Sequence, residues 1–181
     1  MLGAVTPPGR LYRALDEALA RVAGVETALV DLGAKQLSFA DGREPGAYGD
    51  DTGGVVELVA AADAVLLASP VYRGTYTGAL KNLLDLLPVE ALRDKPVGIV
   101  AMGYTLHHYL GVEHPLRAVL TWFGALTVPN AVYLTSKDFG EAGVSESAAG
   151  SLDELLVTLV GLAAQARGLP LGPTPLAAQF T

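Results

Sequence analysis

The segment SPVYRGTYTG, residues 69–78, holds the residue types best suited to contact with a ligand. Gly74 and Gly78 let the backbone approach a flat molecule closely, because glycine has no Cβ. Tyr72 and Tyr76 supply aromatic faces with a polar hydroxyl tip. A plain connection between two elements needs only a turn residue and a cap, so we expect this segment to face a ligand. The alternative is that both tyrosines are ordinary half-buried packing at the end of a strand.

A second segment of this kind is AMGYTLHH, residues 101–108. Gly103 ends an apolar run, and Thr105 is placed to cap a long helix that follows. The chain has three histidines, and they are His107, His108 and His114. These histidines lack the i, i+4 spacing of a metal site and no carboxylate cluster joins them, so we expect each to face solvent or to cap a helix.

The elements that position these segments alternate between strand and helix. The predicted strands are Leu2–Val5, Val25–Asp31, Ala64–Ser69, Pro96–Ala101 and Thr127–Thr135. The predicted helices are 10–23, 53–61, 76–87, 106–125 and 148–167. The runs AVLLAS and VGIVA do not alternate polar and apolar residues, which is typical of parallel strands buried on both faces. The pattern predicts an α/β fold with a doubly wound parallel sheet, whose ligands bind at the carboxyl ends of the strands.

The composition favours one globular domain over residues 1–168, followed by a proline-rich, extended tail over residues 169–181. Residues 33–52 predict a long surface loop. The first predicted strand has only about four residues, fewer than the mean of about 5–6, so it is either shortened or begins upstream.

Charge and residue usage exclude several classes of function. The 181 residues carry a net charge of −7 without a cluster of lysine or arginine, which argues against a nucleic-acid surface. The chain has no cysteine, so disulfides and a cysteine nucleophile are excluded. We expect no signal peptide and no membrane span, since no apolar run approaches the roughly 20 residues that a span needs. A cytoplasmic protein is the expectation.

These residues resemble the NADPH-dependent FMN reductases of flavodoxin-like fold, in particular the flavin reductases of two-component alkanesulfonate monooxygenase systems. The resemblance runs, almost without gaps over residues 3 to 135, through Ser69–Tyr72, Tyr76, Gly78–Lys81, Leu83–Pro88, Ala91, Leu92, Lys95, Gly103, Thr105, His108, Val119 and Leu120. It implies a three-layer α/β/α domain with five parallel strands in the order 2-1-3-4-5. It also implies FMN and NADPH as cofactors.

The resemblance implies a flavin ring site built from two loops. The segment matching Pro70, Val71, Tyr72 and Arg73 lies along the isoalloxazine ring in the family, with Tyr76 beside it. The second loop contacts the ring with a Gly-Gly-Thr that appears here as Gly103, Tyr104 and Thr105. Tyr104 replaces a family glycine, so it either stacks on the ring, crowds it, or is a surface aromatic residue in a turn. Arg73 is also a candidate contact for NADPH.

The resemblance further implies a phosphate cradle over residues 3–13, opening onto a helix N-terminus that favours anions. Arg10 matches the family arginine, and Gly9 leaves backbone amides open. Most family serines are replaced in this segment, by Ala4, Gly9, Leu11 and Tyr12. The residues left to hold a phosphate through charge and backbone amides are Thr6, Arg10, Tyr12 and Arg13.

Two features predict a homodimer or homotetramer. The helix over 76–87 is apolar over a wide arc, which leaves a strip for a partner subunit. His114 matches a family tyrosine on an inserted π-helical turn at the subunit interface, and Pro115 disrupts a helix. We therefore expect a helix irregularity at about 111–115 that places His114 at the interface near the ring.

Three functions remain open from the sequence. The leading one is an NAD(P)H-dependent FMN reductase that passes reduced flavin to a partner monooxygenase. The second retains FMN and reduces quinones, azo compounds or metal oxyanions. The third is a non-catalytic flavodoxin-fold protein with a degenerate phosphate loop. No acid–base dyad, nucleophile elbow or Walker motif is present, so hydrolase and nucleotidase functions have no support.

Overall fold

The computed structural model describes residues 1–141, 143–169 and 171–173. The strands of its main sheet are β1 (Leu2–Thr6), β2 (Thr27–Asp31), β3 (Ala64–Pro70), β4 (Pro96–Gly103), β5 (Leu126–Thr127) and β6 (Val132–Thr135). The helices are α1 (Arg10–Leu19), α2 (Thr52–Ala61), α3 (Gly78–Leu86), α4 (Leu110–Phe123) and α5 (Glu146–Ala166). A hairpin of β7 (Phe139–Gly140) and β8 (Gly143–Val144) precedes α5, and the sequence did not predict it.

The sheet is parallel, with the order β2-β1-β3-β4-β5 and with β6 also paired to β4. The predicted flavodoxin-like α/β fold is therefore confirmed, with its five-stranded order. The predicted fifth strand, Thr127–Thr135, is interrupted: Leu126 pairs with Pro96 and Val132 pairs with Val100. Pro129 lies in the interruption, and proline has no N–H to donate to a ladder.

The short first strand is central to this sheet. β1 has five residues, all buried, and pairs with β2 on one side and β3 on the other. α2, α3 and α4 pack their apolar residues on one face of the sheet, whereas α1 and α5 cover the other face. Every residue of β3 is buried, as expected for a central parallel strand.

The predicted apolar strip on the third helix is wrong. Its leucines all lie in the core of the single chain, and they are Leu80, Leu83, Leu84, Leu86 and Leu87, each 7% exposed or less. α3 presents Lys81 and Asp85 to solvent, where they form an i, i+4 ion pair. The wide apolar arc is buried within the chain because α3 packs both on the sheet and beside α2.

An exposed apolar strip lies on α4 instead. Leu110 is 46% exposed and Trp122 is 67% exposed, and Ala118 between them is also exposed. Spacings of four and eight residues place these side chains on one face of the helix. His114 shares that face and is exposed.

The fourth helix begins later than the prediction. A 3₁₀ turn, Leu106–His108, precedes α4, and the Thr105 side chain caps neither element, so the predicted cap is wrong. The predicted irregularity at 111–115 is also wrong, because α4 is α-helical over its whole length despite Pro115. The irregular part of this region is the 3₁₀ turn before the helix.

Lys95 immediately precedes β4, at the amino-terminal edge of the sheet. Its Nζ donates to the carbonyl oxygens of Val59 and Ala60 at 2.9 and 2.8 Å, which caps the C-terminus of α2. Burial lowers the pKa of Lys95 to about 8, against a smaller opposing effect of Asp63. A structural role thus accounts for the lysine at this position.

α5 is long and apolar enough to cross a membrane by length and composition alone. In this chain it packs on β3, β4, β6 and α1, and it buries Leu152, Leu156 and Leu159 there. The predicted extended tail lies mostly outside the described residues, so its conformation and the domain boundary at 168 stay predictions.

Candidate functional site

The loops after β1, β3 and β4 all leave the sheet at its carboxyl edge. β3 and β4 end side by side, since Ser69 pairs with Ala101 and Pro70 with Met102. The Val71 amide continues this pairing and donates to the Met102 carbonyl at 2.8 Å. The structure therefore brings the two predicted ring-contacting loops together.

The loop after β3 contains a two-residue hairpin. Tyr72 and Thr75 exchange backbone hydrogen bonds of 2.8 and 3.2 Å across Arg73 and Gly74. Both central residues have positive φ, 54° at Arg73 and 81° at Gly74. Glycine tolerates this conformation, but an L-residue such as arginine pays about 1–2 kcal/mol for it. This hairpin was not predictable from the sequence, because Tyr-Arg-Gly-Thr lacks the usual Asn-Gly or Asp-Gly pair.

Ser69 ties the two ends of this loop together. Its buried hydroxyl donates to the Pro70 carbonyl at 2.9 Å and accepts from the Thr77 amide at 2.9 Å. Thr77 in turn caps α3 by accepting from the Leu80 amide at 3.3 Å. From the sequence Ser69 was predicted only as the end of a strand, and these two hydrogen bonds were not predicted.

The two tyrosines of the loop have different surroundings. Tyr72 is 63% exposed at the carboxyl edge of the sheet. Tyr76 is partly buried against the core, and burial raises the pKa of its hydroxyl. The backbone amides of Arg73 and Gly74 have no hydrogen-bond acceptor in the described part of the chain, whereas those of Val71 and Tyr72 are already paired.

Tyr133 of β6 contacts the loop after β4. The Tyr133 hydroxyl donates to the Thr105 carbonyl at 2.7 Å, and its ring passes beside Gly103. Tyr104, between those two residues, is 82% exposed. The predicted site residues Gly103, Tyr104 and Thr105 thus form a backbone arch with one aromatic side chain projecting from it.

The loop after β1 leads into α1 without a capping side chain. Gly9 precedes the helix with φ 97°, and the first turn contains no acidic residue. The first amides of a helix have no intrahelical partner, so they remain available to an anion. Arg10 is exposed beside them and Tyr12 is half-buried. Thr6 is fully buried, and its hydroxyl donates to the Pro7 carbonyl at 3.0 Å, so that proton is already engaged.

A cleft adjoins the outer side of α1. It has a volume of about 580 Å³ and is lined by Arg10, Arg13, Glu17, Phe139 and Glu141, among others. The Arg10 guanidinium lies 5.7 Å from the centroid of the Phe139 ring, a cation–π distance. Sequence reasoning missed Phe139, because two-residue strands are too short to produce a pattern.

The three histidines lie in the 3₁₀ turn before α4 and in the first part of α4. No group of three or more His, Cys, Asp or Glu side chains suited to a metal ion occurs among the described residues. His107, His108 and His114 are all exposed. The placement of His114 at a subunit interface near the ring stays a prediction.

The chain is similar in sequence to several known flavin reductases. The sequence profile of the family described as NADPH-dependent FMN reductase matches residues 1–140. The NADH-dependent FMN reductase SfnF of Pseudomonas fluorescens is 34% identical over 179 residues, which are 96% of this chain and 90% of that protein. The NAD(P)H-dependent FAD/FMN reductase of Geobacillus thermodenitrificans is 43% identical over 117 residues, 65% of this chain. The FMN reductase (NADPH) of Pseudomonas aeruginosa is 46% identical over 85 residues, 47% of this chain.

The chain spans 63% of the length of the Geobacillus relative and 46% of the P. aeruginosa relative. Among solved structures, the apo form of the NADH:FMN oxidoreductase EMOB matches 96% of this chain and 92% of its own, with TM-score 0.69 and 23% identity. The flavoenzyme FerB of Paracoccus denitrificans matches 91% of this chain and 98% of its own, with TM-score 0.70 and 19% identity. At these identities the likeness concerns the fold alone.

Proposed function

The chain belongs to the family of NADPH-dependent FMN reductases, and from that premise we propose that it transfers a hydride from NAD(P)H to FMN. The observation that carries this proposal is the extent of the family match. Residues 1–140 include all three loops at the carboxyl edge of the sheet, so the match covers the whole candidate site.

The loop after β1 fits the FMN phosphate. The start of α1 offers unpaired amides and no competing carboxylate, and Arg10 adds a positive charge beside them. The hydroxyl of Thr6 is engaged by Pro7, so we assign phosphate binding to the α1 amides, Arg10 and Tyr12. This set compensates for the serines that are replaced in this chain.

The loops after β3 and β4 fit the flavin ring. Pro70, Val71 and Tyr72 form one side of the ring site, with Tyr76 behind them. The free amides of Arg73 and Gly74 are the donors left for the polar edge of the ring. The arch of Gly103, Tyr104 and Thr105 forms the other side, where the exposed Tyr104 ring is a surface for stacking.

When bound, the flavin supplies the chemistry, because its ring accepts the hydride of the reduced nicotinamide. The protein has to orient the two rings and exclude water between them. The exposed aromatic side chains of Tyr72 and Tyr104 suit both tasks. The Arg73 guanidinium, at the tip of the hairpin, is our candidate contact for the phosphates of NADPH.

We further propose that reduced FMN is released to a partner monooxygenase in the cytoplasm. The resemblance to flavin reductases of two-component systems supports the partner. We also propose a homodimer or homotetramer, assembled through the exposed strip of Leu110, His114, Ala118 and Trp122 on α4. Lone exposed tryptophans are common on monomers, but Trp122 shares its helix face with the exposed Leu110 and Ala118, and this grouping favours an interface.

A second candidate function is an FMN-retaining reductase. The FMN-dependent NADPH-azoreductase of Staphylococcus aureus is 32% identical over 85 residues, 47% of this chain and 45% of that protein. The three loops of the site are compatible with either role, because the difference lies in how tightly FMN is held.

The deciding experiment follows NADPH oxidation by the purified protein while free FMN is titrated in. Saturable oxidation that requires added FMN supports the proposed reductase with FMN as substrate. Oxidation that is independent of added FMN, with yellow protein as purified, supports the flavin-retaining alternative. No oxidation with either NADPH or NADH would overturn both, and the degenerate, non-catalytic protein would then be the better interpretation.

A further inference from the structure

A single tyrosine outside the three loops contacts the arch after β4. Tyr133 lies on β6, opposite Ala101 in the ladder with β4. Its side chain packs against the cluster formed by α2, α3 and α4, which places it under the start of the α4 connection. From there the hydroxyl reaches the Thr105 carbonyl at 2.7 Å.

The absence of a side chain at Gly103 is explained by the position of Tyr133. A Cβ at position 103 would lie 1.8 Å from the Tyr133 hydroxyl oxygen and 2.9 Å from Cζ, far inside contact distance. Gly103 does not have a positive φ, so its backbone conformation is open to any residue. The requirement for glycine is therefore steric, and it comes from the tyrosine that crosses it.

Gly103 still pairs with Thr135 of β6, but beyond it little else holds the arch in place. The remaining hydrogen bond to the Thr105 carbonyl comes from the His108 amide at 3.5 Å, which is long. Tyr104 and Leu106 are 82% and 71% exposed, so burial contributes little order. In the described part of the chain, no other side chain donates a hydrogen bond to residues 103–109.

We propose that Tyr133 is the positioning residue of the flavin-binding loop, because its hydroxyl fixes the backbone of residues 103–105 against the ring site. This inference rests on the proposed FMN reductase function. Tyr133 acts from behind the arch and does not itself touch flavin. Burial raises the pKa of Tyr133, so the hydroxyl keeps its proton and remains a donor at neutral pH.

The test compares Tyr133→Phe with the wild-type enzyme. Loss of one hydrogen bond, about 1 kcal/mol, should raise KM for FMN about fivefold. The maximal rate at saturating FMN and the KM for NADPH should change less than about twofold, because the loop acts on ground state and transition state alike. Hydrogen exchange in the flavin-free protein should become faster at residues 104–109. Gly103→Ala, which displaces the same side chain, should change KM in the same direction.

Tyr48→Phe is the matched control, since it removes a hydroxyl that donates to Asp41 at 2.9 Å in the loop after β2. Its KM for FMN should equal that of the wild type. An FMN KM within about twofold of wild type for Tyr133→Phe would overturn the inference and leave the reductase function standing. Equal rises in KM for FMN and NADPH, together with a lower melting temperature, would reduce Tyr133 to a general structural role and also overturn it. A wild-type protein that oxidises no NADPH with FMN would overturn the inference together with the function.

Discussion

Replacing Arg10 with alanine should weaken FMN binding about tenfold and leave riboflavin binding unchanged. Arg10 is exposed at the start of α1, and it forms no ion pair within the described residues. Its guanidinium contacts the Phe139 ring at 5.7 Å from the centroid, and this contact leaves the N–H donors open to a phosphate. A charge-assisted hydrogen bond contributes about 1.5–3 kcal/mol, and the lower end applies at an exposed position, which is roughly tenfold in affinity.

Binding should not be abolished, because the unpaired amides of α1 stay in place. A helix N-terminus contributes about 0.3–1 kcal/mol to an anion at its end. The net charge of −7 makes the loss of a local cation more severe at low ionic strength. The affinity ratio between wild type and variant should therefore shrink as salt is added, since the Debye length falls to about 8 Å at 0.15 M.

The assay is a titration of flavin fluorescence against each protein, with FMN and with riboflavin at two salt concentrations. Arg21→Ala is the control, because Arg21 lies beyond the other end of α1 and pairs with Asp153 at 2.7 Å. It should bind both flavins as the wild type does. Equal weakening of FMN and riboflavin by Arg10→Ala would refute the assignment of the phosphate to this loop, as would unchanged binding of both.

Three further predictions concern stability and assembly. Ser69→Ala leaves the buried Thr77 amide without its acceptor and should lower the free energy of unfolding by about 1–3 kcal/mol in urea titrations. An unchanged urea midpoint would contradict the stabilising role of the Ser69 hydroxyl. Lys95 has a pKa of about 8 in the folded chain, against an ordinary value of 10.5. Between these two pH values the unfolded chain binds more protons than the folded chain, so the contribution of Lys95 to the free energy of unfolding should increase from pH 8 to pH 10. Lys95→Met should lack that increase, and urea midpoints at both pH values for the two proteins will show whether it does. Trp122→Glu should convert an oligomer to monomers in light scattering, whereas unchanged assembly would exclude the α4 strip as the interface.

The sheet and its helices were predictable because their signals are local. Non-alternating apolar runs such as AVLLAS identified a strand buried on both faces, and the structure buries all of β3. The five-residue β1 is central although it is short, which single-strand length could not indicate. The interrupted last strand escaped prediction, although Pro129 and Asn130 within 127–135 are a local signal for a break. Pairing with β4 places that break between Thr127 and Val132.

The interface prediction failed for a reason that lies in packing. Counting apolar residues on the third helix assumed that one narrow face meets the sheet, yet α3 also packs beside α2 and buries every leucine. On α4, by contrast, Leu110, Ala118 and Trp122 stay exposed to solvent. How wide an apolar arc a helix needs depends on how many neighbours it has, and neighbours are set by the whole fold.

The sequence by itself determined the fold class, because the apolar patterns of strands and helices are local. Its resemblance to known flavin reductases indicated the family and the three loops that carry the candidate site. The tertiary structure alone decided how those loops are held. Ser69 joins the ends of one loop, Arg73 occupies a left-handed turn, and Tyr133 reaches across Gly103 to hold another. Gly103 and Tyr133 lie 30 residues apart in the chain. Their contact depends on the register between β4 and β6, and register is a property of paired strands that neither segment encodes alone.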